Sequence, residues 1–99
     1  MNINDVTPEL IGRSISTSGK IVYKNLHPAG HLFLTISDNR TKIQVPLFVG
    51  FMNDMEEAGI KEENFKLGSL LSVFGLVDEY KGQLQIIPRK VEDIKILSE

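Results

Sequence analysis

From Arg13 to Leu26 the chain alternates without interruption. Ile15, Thr17, Gly19, Ile21 and Tyr23 share one phase, and Ser14, Ser16, Ser18, Lys20, Val22 and Lys24 share the other. Period-two alternation marks a strand whose two faces meet different surroundings. This run exceeds the roughly 3–10 residues usual for a strand, so it needs a bend to stay on a small core. Gly19, in mid-run, lacks the side chain that would resist a bulge or a sharp coil there. A bent strand can pair with one neighbour before the bend and another after it, which is how a small barrel closes.

The next stretch, His31 to Val45, reads as two strands meeting at Asp38 to Thr41. Leu32, Leu34 and Ile36 form the core phase of the first, leaving His31, Phe33, Thr35 and Ser37 outward. In the second, Ile43, Val45 and Leu47 alternate with Lys42, Gln44 and Pro46. An aromatic ring, two hydroxyls, a lysine and an amide are thus expected on one outer face. The triplet Asn39-Arg40-Thr41 fits a glycosylation acceptor, but without an export signal it reads as turn chemistry.

Further along, Phe48, Phe51, Met52, Met55 and Ala58 follow the spacing of one helical face. The helix is expected to start at Gly50, or at Asn53 with Glu56 as a capping box, and to stop at Gly59. Leu70 to Val77 is a fourth strand with two largely apolar faces, read as buried on both sides, with Phe74 packing under flanking elements. Asp78 to Gly82 is a hairpin loop, and Gln83 to Ile87 is a fifth strand ended by Pro88. Val91, Ile94, Ile96 and Leu97 fit either an edge strand or a helical turn, and residues 1–12 read as a lead-in. The fold class is all-β with one helix: a five-stranded Greek-key OB-fold barrel with its helix between the third and fourth strands.

With 99 residues the chain suits one domain over residues 1–99, since two halves would each be too small to bury a core. It has no cysteine, which excludes disulfides and cysteine-ligated metal sites. No apolar run approaches the roughly 18 residues of a membrane span, and the start MNINDVTPEL lacks the features of a secretion signal. A cytoplasmic location with no membrane partner is expected. The net charge is −2, but its distribution is uneven. Arg13, Lys20, Lys24, Arg40 and Lys42 face only Asp38 within residues 13–42, whereas Asp54, Glu56, Glu57, Glu62 and Glu63 face only Lys61 within residues 53–65. The strand surface can therefore be basic although the chain is not.

The segments Ser18–Val22, Phe33–Asp38, Ile43–Val45 and Leu67–Val77, in that order, resemble the anticodon-binding type of OB-fold domain. That type occurs in class II aspartyl-, asparaginyl- and lysyl-tRNA synthetases and in DNA replication and repair proteins. Phe33 falls where the family's aromatic stacks on an anticodon base, and Gln44 where its glutamine hydrogen-bonds a base edge. Ser37 stands in place of the arginine usual before the aspartate, so what the resemblance implies is single-strand binding, DNA or RNA, rather than anticodon identity.

The residue types agree with that implication. Phe33 offers a stacking platform, Thr35 and Gln44 offer hydrogen bonds, and Lys20, Lys24, Arg40 and Lys42 offer phosphate contacts. Tyr80 and His27 or His31 are expected as second stacking surfaces in the flanking loops, with Lys81 and Arg89 as further cations. His27 and His31 are four residues apart, but Pro28 and Gly30 exclude a helix that would align them on a metal. No catalytic triad, nucleophile elbow or phosphate-binding glycine loop is present in the sequence, so a non-enzymatic module with no cofactor is expected. The alternative is an OB-fold that binds protein within a larger assembly, favoured by the acidic helix and the outward Leu70, Phe74 and Leu76.

Overall fold

The computed structural model describes residues 1–98. Among these residues six strands form one sheet: β1 (Ser14–Leu26), β2 (Leu32–Ser37), β3 (Lys42–Leu47), β4 (Leu70–Tyr80), β5 (Gln83–Ile87) and β6 (Ile94–Ser98). Among the described residues a single α-helix, α1 (Val49–Glu57), follows β3. β1 pairs with β4 along Ser14–Lys20 and with β2 along Lys20–Leu26. The ring then runs through β3 and β5 back to β4, with β3 and β5 parallel and the other pairs antiparallel. This is the expected closed five-stranded barrel with its helix between the third and fourth strands. β6 lies beside β4 along Leu70–Val73, the stretch that β5 leaves open. The ambiguous C-terminal stretch is both things in turn, a 3-10 turn at Val91–Asp93 and then a strand.

Inward residues of every strand meet in one core, including Ile21, Leu34, Ile36, Val45, Leu71, Val73, Val77 and Ile86. Each end of the barrel is covered. Phe51 and Met55 of α1 and Phe65 of the connector join the core beyond the end of β3. Residues 1–12 do more than lead in, because Ile3 and Val6 are buried beside Ile43, and the Thr17 hydroxyl donates to the Met1 carbonyl. No helix among the described residues is long and apolar enough to cross a membrane.

Three local expectations are corrected. α1 begins at Val49, with the His31 Nδ1 accepting the Val49 N–H at 2.9 Å, so Asn53 lies inside the helix and caps nothing. Gly59 does follow the helix end, in the left-handed region at φ 86°. The β4–β5 loop shrinks to Lys81 and Gly82, both at positive φ, because Asp78 and Glu79 continue the ladder. Two positive-φ residues give the turn a twist that matches the strands it joins. β4 is not buried on both sides: Phe74 stands opposite Ser16 on the outer face and is 46% exposed.

Closure depends on backbones approaching where a side chain would not fit. A Cβ on Gly75 would lie 2.5 Å from the Ile87 carbonyl oxygen, and one on Gly19 would lie 2.8 Å from that of Ser37. Gly75→Ala is therefore expected to lower the unfolding free energy by roughly 1–3 kcal/mol, the usual cost of overpacking. Gly50→Ala, in a helix position with open space around it, is expected to raise it by up to about 1 kcal/mol. Urea denaturation of the two variants gives both signs; equal midpoints would refute the close-approach account.

Candidate nucleic-acid interface

The outward residues of the barrel form rows that cross strand boundaries. Tyr23 pairs with Thr35, Thr35 with Gln44, Gln44 with Gln85 and Gln85 with Asp78, so one row spans all five barrel strands. The neighbouring row is Asn25, Phe33 and Pro46, and on the other side stand Lys20, Ser37 and Lys42. Rows on one sheet face recur about every 6.6 Å, twice the rise per residue. Phe33, Thr35, Lys42 and Gln44 are thus held on one surface by the antiparallel register of β2 and β3.

Tyr23 belongs to this surface, although alternation from Arg13 puts it in the core phase. The register slips between Ile21 and Tyr23, so the β1 partner of Ile36 is Ile21 and that of Thr35 is Tyr23. A bulge places two residues where one would stand and turns the following side chain to the other face. Val22 is the extra residue, and Tyr23 is 55% exposed in consequence. Gln83 and Gln85 were also not anticipated. The Gln44 Nε2 donates to the Gln83 Oε1, and Gln85 is buried beside Gln44.

A slot of about 250 Å³ opens between Tyr23, Phe33 and Tyr80, floored by Thr35, Gln44, Pro46 and Gln85. Tyr23, Thr35 and Gln44 also border a wider groove of about 690 Å³, together with Lys42 and Gln83. Phe33 is not an isolated platform. Its ring centroid lies 5.9 Å from His31, 6.1 Å from His27 and 6.4 Å from Phe48. Both histidines are fixed by local bonds, His27 Nδ1 accepting the Ala29 N–H and His31 Nδ1 that of Val49.

The expected cations divide into groups. Lys20 and Lys42 flank Ser37 in one row, and Arg40 lies in the adjoining turn. Lys81 sits at the β4–β5 turn with its ammonium 5.4 Å from the Tyr80 ring centroid. Lys24 is elsewhere: beyond the bulge it pairs with inward Leu34, and its Nζ donates to the Glu62 carbonyl and meets the Glu62 carboxylate at 2.8 Å. Arg89 follows the end of β5, where its backbone N–H donates to Asp93, and it lines neither the slot nor the groove.

The β2–β3 turn is held by its own side chains. Asp38 Oδ1 accepts the N–H groups of Thr41 and Arg40 at 2.8 and 3.0 Å and the Thr41 hydroxyl at 3.0 Å. The Ser37 hydroxyl donates to the Thr41 carbonyl and accepts from the Asn39 N–H. Asn39 adopts φ 84°, a left-handed geometry that asparagine tolerates better than most residues. The Thr41 and then the Arg40 backbone bonds hold the Asp38 carboxyl below its ordinary value.

A closed five-stranded barrel with its helix between the third and fourth strands is an OB-fold, the class of small Greek-key barrels. Residues 15–94 match the model of the OB-fold nucleic acid binding domain, the tRNA anticodon type, and the chain belongs to this family. Among curated proteins no sequence matches it significantly. Similar solved structures include OBody AM1L10 bound to hen egg-white lysozyme, with TM-score 0.79 and 18% identity, covering 100% of this chain and 91% of that one. OBody AM3L15, also bound to hen egg-white lysozyme, has TM-score 0.77 and 17% identity, covering 97% and 91%. At these identities the likeness concerns the fold.

Two outcomes follow from the turns. In an NMR pH titration the Asp38 carboxyl is expected to titrate below its ordinary 3.8. The turn binds the charged form, so its stabilisation is present above that value and is lost as pH falls through the lower folded midpoint. A midpoint at or above 3.8 would contradict the hydrogen bonding described. Lys81→Gly relieves a left-handed residue and is expected to raise stability by roughly 1–2 kcal/mol, measurable by thermal denaturation.

Proposed function

We propose that the chain binds single-stranded nucleic acid across the outer face of β2 and β3, as a binding module rather than an enzyme. The observation that carries this reading is the slot walled by Tyr23, Phe33 and Tyr80 and floored by amides and a hydroxyl. A base entering it stacks on a ring, a contact that any base can make, worth roughly 1–3 kcal/mol. Gln44 and Gln83 are hydrogen-bonded to each other, and the Gln44 Oε1 and Gln83 Nε2, which that bond does not use, are the groups that meet a base edge in this reading. Lys20, Lys42 and Lys81 supply phosphate contacts. Family membership supports the same ligand class.

Fluorescence anisotropy with labelled single-stranded DNA and RNA tests this. Phe33→Ala is expected to weaken binding by about 1–3 kcal/mol, while Lys24→Ala leaves affinity nearly unchanged because that ammonium is held by Glu62. With three cations engaged, log K is expected to fall against log salt with a slope of about −2. Wild-type protein that binds no oligonucleotide at low salt would sink the proposal.

A protein-binding reading rests on a different surface. Phe74 is exposed between the half-buried Leu70 and Leu76, away from the slot. The OBody structures bind a protein, lysozyme, on a similar barrel. Light scattering after size-exclusion chromatography tests for self-association or a copurifying partner, and Phe74→Ser distinguishes this face from the slot.

A further inference from the structure

The β2–β3 register extends beyond the ends of both strands. Leu32 pairs with Leu47, so the next outward positions are His31 and Phe48, one row past Phe33 and Pro46. Their rings meet edge to face with centroids 5.6 Å apart, and the His27 ring joins them at 5.5 Å from His31. The four rings of His27, His31, Phe33 and Phe48 thus form one continuous aromatic surface, which Phe33 shares with the slot. The cluster is not sealed into the core: Phe48 is 41% exposed, His27 is exposed, and His31 is half-buried.

We propose that His27, His31 and Phe48 form a second nucleotide subsite, which takes the base next to the one stacked on Phe33; the proposal rests on the single-strand reading above. Three features make the subsite suitable for a base and its phosphate. Exposed rings provide faces or edges for stacking. Both imidazoles accept a backbone N–H at Nδ1, so each neutral ring carries its proton on Nε2, a donor not used by these local bonds. The His31 bond also fastens the cluster to the first residue of α1, where the helix macrodipole favours an anion.

The surface has a defined limit. On the other side of the β1–β2 loop, a groove lined by Gly30 and Val49 is bordered by Glu56, Glu62 and Glu63. Glu62 is paired with Lys24 and Lys61 borders the same groove, but Glu56 and Glu63 leave it net acidic, so a bound strand leaves the protein after this row. Counting the rows of Lys42, Gln44, Phe33 and Phe48, the surface takes on the order of four nucleotides, at the lower end for an OB-fold.

The test uses fluorescein-labelled oligothymidylates and oligouridylates of increasing length, titrated into the wild-type chain and into Phe33→Ala, Phe48→Ala and His27→Ala. Wild-type affinity is expected to rise with length and then level off. Phe48→Ala and His27→Ala are expected to remove most of the gain from the last added nucleotide, roughly five-fold or more, while binding the shortest ligand as wild type does. Aromatic NMR spectra of the wild type give a readout independent of variant folding, with the Phe48 and His27 ring signals shifting on addition of the longer ligand. If Phe33→Ala weakens binding but Phe48→Ala and His27→Ala do not, and those rings fail to shift, the subsite is overturned and the slot stands. If the wild type binds no oligonucleotide, both fall.

Discussion

The structure depends on one strand serving two neighbours. β1 pairs with β4 up to Lys20 and with β2 from Lys20 onward, and without that exchange the sheet has two open edges and no enclosed core. The exchange has steric requirements. Gly19 lets the chain approach the Ser37 carbonyl, and Gly75 lets β4 approach the end of β5. Directly after the exchange comes the bulge at Val22, which increases the local twist of β1. That bulge has a functional consequence, because it turns Tyr23 out of the core phase and stands it beside Thr35. The device that lets the barrel close therefore also supplies one wall of the slot.

The composition of the outer face indicates which forces act there. It offers rings, carboxamides and hydroxyls in quantity and cations sparingly, as suits a chain with a net charge of −2. Stacking and hydrogen bonding on such a face are short-ranged and little screened, whereas phosphate neutralisation depends steeply on salt. The amides are partly organised in advance: Gln44 meets Gln83 and Gln85 from the parallel neighbour β5. A side chain already held by its neighbours loses less rotamer freedom when a ligand arrives.

Much of this was legible in the sequence, and the failures share a physical origin. Alternation places Phe33, Thr35, Lys42 and Gln44 on one face because β2 and β3 are consecutive, joined by a tight turn and free of irregularity. Tyr23 was assigned to the wrong face because a one-residue bulge inverts every later position, and period-two reasoning has no means of sensing it. Gln83 and Gln85 escaped notice because β5 lies beside β3 only through barrel closure, a contact between strands far apart in the chain. Lys24 looked like a phosphate contact until the fold brought Glu62 to it. Alternation puts His31 outward at the start of the first strand, but its role at the start of α1 depends on where β3 delivers the helix. Local pattern reports what lies on one strand; which strands are neighbours, and in what phase, is decided by tertiary pairing.

Charge placement then gives the surface a direction. The acids of α1 and the connector, Asp54, Glu56, Glu57, Glu62 and Glu63, gather beyond the first turn of the helix, while Lys20, Arg40 and Lys42 gather at the β2–β3 turn. Between them runs the series of outward rows from Ser37 and Lys42 to His31 and Phe48. A polyanion meets attraction at one end of that series and repulsion past the other, so its approach is biased toward the lysine end before any ring is engaged. Lys24, set among the acids, pairs with Glu62, and the other acids there set the gradient. The modest net charge is therefore compatible with a strand-binding face, because five of the acids, Asp54, Glu56, Glu57, Glu62 and Glu63, are segregated from the β2 and β3 rows where a strand would lie.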